Sequence, residues 1–267
     1  YPSVETIWTS LHRASLILPG STFIGLGNFS RLLDDAKFWN AWKNTIYFTV
    51  VTVAGETVLG FGIAQVLNRD FRGRGWVRAA VLVPWAIPTV VSSRLWGLIF
   101  DTNVGIANYL LTSARIVGAD VNWLGDPRLA INVTAVVDVW KTTPFMALIL
   151  LAGLQTIPGE LYEAAEIDGA GVVNRFRQIT LPLIAPVLLV AMLLRTLDAF
   201  RVFDVIYVMT GGGPANSTEV MSTLTYKIFF SATQFGYGSA LAVAMFVSVL
   251  LISLGYLFFL RNKLEVG

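Results

Sequence analysis

Polar and apolar positions in this chain alternate in blocks the size of whole helices. Five apolar runs are long enough to cross a bilayer, which takes about 20 helical residues. They are roughly Trp42 to Leu67, Val77 to Phe100, Leu129 to Leu154, Ala185 to Met209 and Tyr237 to Leu260. The pattern predicts an all-α fold, a polytopic membrane protein with five visible transmembrane helices. Two long polar connections, 101–128 and 210–236, separate the second run from the third and the fourth from the fifth.

A shorter polar interval, ELYEAAEIDGAGVVNRFRQITLP at residues 160–182, lies between the third and fourth runs. Pro158 suits a first helical position, and Glu160 and Glu163 suit the positive end of a helix dipole, so a helix is predicted to start near 158. It should end at Gly169 to Gly171. A second helix follows, with Val172, Val173, Phe176 and Ile179 as one apolar stripe and Pro182 as its stop. Residues 158–182 therefore read as a helix-turn-helix.

Charge orients these elements. The connection between the first two runs carries Arg69, Arg72, Arg74 and Arg78, and the chain ends with Arg261 and Lys263. The two long connections hold only Arg115, Arg128 and Lys227. By the positive-inside rule the first group is cytoplasmic, which by alternation places 158–182 in the cytoplasm and residues 1–41 and both long connections outside. An odd number of spans beginning outside, in a chain whose first residue is Tyr1, calls for one more span upstream. Residues 1–41 are then an external N-terminal segment after that span, and 42–267 the membrane domain. The helix-turn-helix carries Glu160, Glu163, Glu166 and Asp168, an acidic face that anionic lipid headgroups repel, so a protein partner suits it better than a lipid surface.

Composition removes several function classes. Hydrophobic residues make up 55% of the chain and charged residues 13%, against about 25% charged in soluble domains. There is no Cys and a single His, His12, which leaves no disulfide framework and no metal site to propose. A net charge of +2 gives no case for nucleic acid. No G-x-x-x-x-G-K-[ST] stretch is present, so the chain lacks the phosphate-cradling loop of an ATPase. The run Gly211-Gly212-Gly213-Pro214 precedes no Lys-Ser/Thr and reads as an external turn. With no paired nucleophile and base, the chain does not read as an enzyme.

Charged groups at membrane depth are costly and mark cavities or partners. Here they are Glu56, Arg94, Asp138, Lys141, Arg195, Asp198, Arg201 and Asp204. Asp198, Arg201 and Asp204 recur every three residues, which predicts one face of one helix with Arg195 a step further back. Arg201 is placed to neutralise Asp198 or Asp204.

The polar interval resembles a known pattern. Glu163-Ala164-Ala165, Asp168-Gly169-Ala170, Phe176, Ile179, Leu181-Pro182 and Pro186 are similar to the EAA motif of permease subunits of binding-protein-dependent ABC importers. Gly25-Leu26-Gly27-Asn28-Phe29, Arg72-Gly73-Arg74-Gly75, Pro84-Trp85-Ala86-Ile87-Pro88, Leu154-Gln155-Thr156-Ile157-Pro158 and Phe203-Asp204 followed by Thr210 to Pro214 are similar to the carbohydrate-uptake branch, which includes maltose and glycerol-3-phosphate permeases. Within it, VWKTTPFM at 139–146 and RTLDAFRVFD at 195–204 look closest to trehalose-type disaccharide permeases.

The resemblance implies a cytoplasmic coupling helix in which Glu163, Ala164, Ala165, Asp168, Gly169, Ala170 and Phe176 dock on an ATPase subunit. It implies a second homologous permease, two cytoplasmic ATPase subunits, an external solute-binding protein and a multi-pass place in the cytoplasmic (inner) membrane of a prokaryote. No cofactor is expected in this chain; ATP and Mg belong to the partner ATPases. Asp138, Thr142 and Arg195 fall at positions similar to those lining the sugar site of the maltose permease. Asp198, Arg94 and Trp85 complete the candidate substrate residues, since carboxylates and guanidinium groups bind hydroxyls and an indole covers an apolar sugar face. Two alternatives stay open: a glycerol-3-phosphate-type permease, with Arg94 and Arg195 on the phosphate but Asp138 and Asp198 opposing it, and an ion-coupled secondary transporter using Asp138, Asp198 or Glu56.

Overall fold

The structure, a computed structural model, describes residues 2–15 and 20–264, except for the side chains of residues 260 and 262–264. Tyr1 and the side chain of Lys263, both used above to read topology, lie outside the described residues.

The chain opens with α1 (Pro2–Ser10), a short antiparallel pair of β1 (His12–Arg13) and β2 (Thr22–Phe23), and α2 (Gly27–Asp34). The Asn28 amide ties these pieces together by donating to the carbonyls of Ser10 (2.8 Å) and His12 (2.9 Å). α3 (Ala36–Asn68) starts where Asp35 accepts the Lys37 amide at 2.8 Å, an N-cap contact. Its 33 residues give a rod about 50 Å long, well over the ~30 Å apolar core of a bilayer. The helix takes in Ala36 to Ala41, which the apolar pattern leaves outside the span.

The predicted second span is not one rod. It is α4 (Arg74–Ala86) and α5 (Thr89–Ile99), bent by 91° at Ile87–Pro88. Pro88 has no amide to donate and forces the residue before it out of the helical region, and Ile87 accordingly takes the extended φ −73°, ψ 133°. Beyond α5 the chain turns at Asp101, whose carboxylate accepts the amides of Val104 (3.0 Å) and Asn103 (2.8 Å), which hold its pKa below the ordinary carboxylate value. α6 (Ile106–Ser113) lies in this connection, and α7 (Ala130–Leu154) forms the third span.

The helix-turn-helix is present as α8 (Gly159–Ile167) and α9 (Val172–Arg175), with Pro158 at the N-cap rather than the first helical position. Pro182 does not stop the second helix. α9 runs through a π-helical turn, Phe176–Thr180, into α10 (Leu181–Phe200), so that 172–200 is one span of 29 residues. A π turn re-spaces the backbone ladder by one residue, and the missing amide of Pro182 is absorbed beside it. The predicted fourth span also ends early: the helix unwinds at Arg201–Phe203, and α11 (Asp204–Met209) starts anew. Asp198, Arg201 and Asp204 therefore do not share one helix face. α12 (Met221–Tyr226), a second π turn at Lys227–Ser231 and α13 (Phe235–Leu264) complete the fold.

Among the described residues four unbroken helices are long and apolar enough to span a membrane, and the bent pair passes the same test of length and composition as a whole. The core is layered along the bundle. Ala64, Leu67, Met146, Leu150, Leu154 and Ile184 pack at the end that carries α8. Phe48, Ile131, Ala135, Val137, Val205 and Ile206 pack further along, and Leu32, Phe38, Met221, Leu224 and Leu241 close the far end. α3 and α7 form the most extensive helix contact, made possible by glycine: a Cβ on Gly60 would lie 2.7 Å from Met146 Cγ and 3.1 Å from the Ala147 amide nitrogen. Small residues give membrane helices this closeness.

Gly60→Leu is therefore expected to separate α3 from α7, at about 1–3 kcal/mol. Gly62→Leu, where an added Cβ meets nothing within 4 Å, is expected to be tolerated. Thermal unfolding of the two variants in detergent measures the difference.

Candidate substrate cleft and coupling helix

Between the first two apolar layers lies a layer of charge. Glu56 of α3 is 0% exposed and faces Arg195 of α10. Arg195 Nε donates to Glu56 Oε2 at 2.5 Å, and Nη2 donates to Oε1 at 2.9 Å, the two-pronged geometry that binds carboxylates most strongly. Nη2 also reaches Asp138 Oδ2 of α7 at 3.4 Å, and Nη1 stands 3.6 Å from Asp198 Oδ2. The Thr142 hydroxyl lies 2.7 Å from Glu56 Oε1 and 2.5 Å from the Asp138 carbonyl. Three helices are joined through one guanidinium group.

One side of this layer opens into a cleft of about 350 Å³ lined by Thr89, Asp138, Arg195, Asp198, Arg201 and Asp204, among others. The unwinding at 201–203 shapes it: Asp204 starts a new helix, off the line of α10, yet lines the same cleft as Asp198. Asp198 is half exposed, its side chain at 54%, and accepts from Arg201 Nη2 at 3.2 Å. Fixed carboxylates and guanidinium groups side by side offer acceptors and donors to a solute rich in hydroxyls.

The predicted substrate residues divide. Asp138, Arg195 and Asp198 meet at the cleft. Thr142 stands behind its wall, on Glu56. Trp85, 51% exposed, stacks on Phe145 at 6.2 Å between ring centres, and Arg94 lines a separate hollow with Leu124 and Met209. The structure does not bring these two to the cleft.

Two residues outside the predicted set shape it. Glu56 is the one acidic residue of α3, and that isolation was its signal, though the sequence did not name its partner. Lys141 is buried and donates from Nζ to the carbonyls of Ile87 (2.6 Å) and Trp85 (3.4 Å). Its ammonium satisfies carbonyls left open at the end of α4, where a positive charge also suits the helix dipole.

At the other end of the bundle α8 stands clear of the core. Its last turn closes as a Schellman motif: the Gly169 amide donates to the Glu166 carbonyl (3.0 Å) and the Ala170 amide to the Ala165 carbonyl (2.8 Å). Gly169 has φ +76°, a conformation glycine adopts without strain. Arg175 Nη1 holds Glu166 Oε2 at 2.9 Å, the Tyr162 and Thr180 hydroxyls are 2.9 Å apart, and Phe176 packs edge-on against Phe61. The expected stripe is split: Phe176 faces α3 and Ile179 is half-buried, while Val172 and Val173 are open, as is Ile167 of α8 at 88% exposure. Glu163 and Ala164 are exposed with them, and Ala165 is half-buried.

A bundle of membrane spans with a polar cleft within it and an exposed helix-turn-helix at one end is the form of a multi-pass membrane permease. The fold matches the crystal structure of a bacterial ABC transporter involved in the import of the acidic polysaccharide alginate. The TM-score is 0.83 with 23% identity, over 97% of this chain and 89% of that one. Residues 56–262 match the family described as the binding-protein-dependent transport system inner membrane component, and the chain belongs to that family. It is 48% identical over 256 residues to the trehalose/maltose transport system permease protein MalF of Thermococcus litoralis, covering 96% of this chain and 86% of the relative. It is 42% identical over 255 residues to the trehalose transport system permease protein SugA of Mycobacterium tuberculosis, covering 95% and 80%. The chain is thus a transport component and not an enzyme.

Because Gly169 is left-handed, Gly169→Ala is expected to cost about 1–2 kcal/mol. The loss should appear as faster amide exchange at 165–171, with the amides of α3 unchanged.

Proposed function

We propose that this chain is one of two homologous permease subunits of an ATP-driven importer in the cytoplasmic membrane of a prokaryote. Its solute is a neutral disaccharide of the trehalose or maltose kind. The observation that carries this reading is the cleft at Asp138, Arg195 and Asp198, which sets several hydrogen-bonding side chains around one cavity of about 350 Å³. The substrate named for the Thermococcus and mycobacterial relatives supports the choice of sugar.

In this reading the connections 101–128 and 210–236 face outward and receive sugar from a solute-binding protein. Carboxylate oxygens of Asp138 and Asp198 accept from sugar hydroxyls, and the guanidinium groups of Arg195 and Arg201 donate to them. Each contact replaces one with water, so the sugar crosses the membrane without baring its hydroxyls to hydrocarbon. ATP and Mg are handled by two separate ATPase subunits, whose closure acts on α8 and α9. Glu163, Ala164, Ala165, Asp168, Gly169 and Ala170 form the docking surface, and Phe176 passes its movement to Phe61 of α3. The bundle then alternates between outward-open and inward-open forms, an equilibrium biased by the partner. A glycerol-3-phosphate-type solute fits less well, because three carboxylates, Asp138, Asp198 and Asp204, line the same cleft.

The absence of native cysteine makes Ala165→Cys a clean probe. A short thiol-reactive photocrosslinker in native membranes is expected to join it to an ATPase subunit, with a yield that changes on adding ATP. Adducts confined to lipid would overturn the coupling role. Asp198→Asn is expected to weaken disaccharide affinity by about tenfold, the order of one hydrogen bond to a charged group; equilibrium binding to the assembled complex measures it.

A further inference from the structure

The two-pronged edge of a guanidinium group is the part best suited to gripping an anion, because it offers two parallel N–H bonds to a carboxylate, sulfonate or phosphate. In Arg195 that edge is already filled. Nε and Nη2 both donate to Glu56, which is fully buried behind the wall of the cleft. Asp138 meets Nη2 only, at the longer distance of 3.4 Å. The remaining nitrogen, Nη1, stands 3.6 Å from Asp198, which also lines the cleft. The second lining cation, Arg201, is also paired with Asp198. Among the charged residues lining the cleft are three carboxylates and two guanidinium groups, and Glu56 adds a fourth negative charge directly behind Arg195. Lys141 faces the carbonyls of Trp85 and Ile87 instead.

We propose that Glu56 is a positioning residue that sets the charge class of solute the pathway accepts: by occupying the anion-gripping edge of Arg195, it admits uncharged polyhydroxyl solutes and excludes acidic sugars. The proposal rests on the reading that the sugar passes through this cleft. Glu56 touches no solute itself. It acts by orienting the guanidinium group and cancelling its charge, within a low-dielectric layer where an unpaired charge acts strongly on a ligand a few ångströms away. The Thr142 hydroxyl on Glu56 Oε1 fixes the carboxylate in turn.

The test uses the assembled complex of both permeases and both ATPases in lipid nanodiscs, without the solute-binding protein, so that delivery does not impose its own selectivity. Equilibrium binding is measured for trehalose and for a disaccharide carrying one glucuronic acid. Wild type is expected to favour the neutral sugar. Glu56→Gln keeps the shape and frees the edge, and should shift the affinity ratio at least tenfold towards the acidic sugar. Glu56→Asp draws the carboxylate back by one methylene and should shift it the same way by a smaller factor; it keeps the buried ion pair, so it serves if Glu56→Gln fails to assemble. Glu56→Gln combined with Arg195→Gln removes both charges and should restore exclusion of the acid. A ratio unchanged within twofold in both single variants, with trehalose binding intact and sensitive to Asp198→Asn, overturns the role of Glu56 alone. Trehalose binding that Asp198→Asn leaves untouched overturns the placing of the sugar in the cleft.

Discussion

The pairing of Glu56 with Arg195 is the constraint around which the bundle is arranged. Two charges withdrawn from water are tolerated only when each satisfies the other and their remaining polar atoms find partners. Here that condition draws α3, α7 and α10 to one point, because Asp138 and Thr142 of α7 complete the set. Removing one member of such a pair typically costs about 3–5 kcal/mol, which exceeds what any one methyl contact in the neighbouring apolar layers supplies. The apolar layers give the helices their closeness, as at Gly60. The ion pair gives them their register.

The cleft follows from the way α10 ends. Continued through 201–203, the helix would present Asp198, Arg201 and Asp204 as a line of charges along one surface. Unwinding folds that line round Thr89 and Asp138, so that charges distant along the chain enclose one volume. Cleft and helix break are one feature, as expected where irregular backbone within a membrane protein lines a polar cavity. The end that carries α8 obeys a different rule. α8 has no fully buried residue, and its side-chain bonds run from Tyr162 to Thr180 and from Glu166 to Arg175. An element so attached can be rotated by a partner without unpacking the core.

Much of this was legible in the sequence, and the limits have physical causes. Apolar run length located the spans, because a bilayer imposes a length on any helix that crosses it. Acid at one end and Gly169 at the other located α8, since a helix must dispose of its end charges and terminal carbonyls locally. The misreadings of the backbone concern proline and the continuity of helices. Pro88 breaks its span by a right angle, whereas Pro182 is passed over, and the difference lies in the backbone just before each: Ile87 is extended, while residues 176–180 widen into a π turn. Single-residue periodicity cannot reveal that. Nor could it pair Glu56 with Arg195, which are 139 residues apart, or show that Arg94 and Trp85 point elsewhere. Those facts depend on how far one helix is rotated against the next.

The attachment of Lys141 to the carbonyls of Trp85 and Ile87 ties the elbow of the bent pair to α7, the helix that also bears Asp138. α4 runs from that elbow towards the arginine-rich turn, and α5 runs from it to pack on α11 beside the cleft. With its corner pinned, the pair has the geometry of a bell crank. The two arms lead from that held corner to opposite ends of the bundle, one to the arginine-rich turn and the other to the helix beside the cleft.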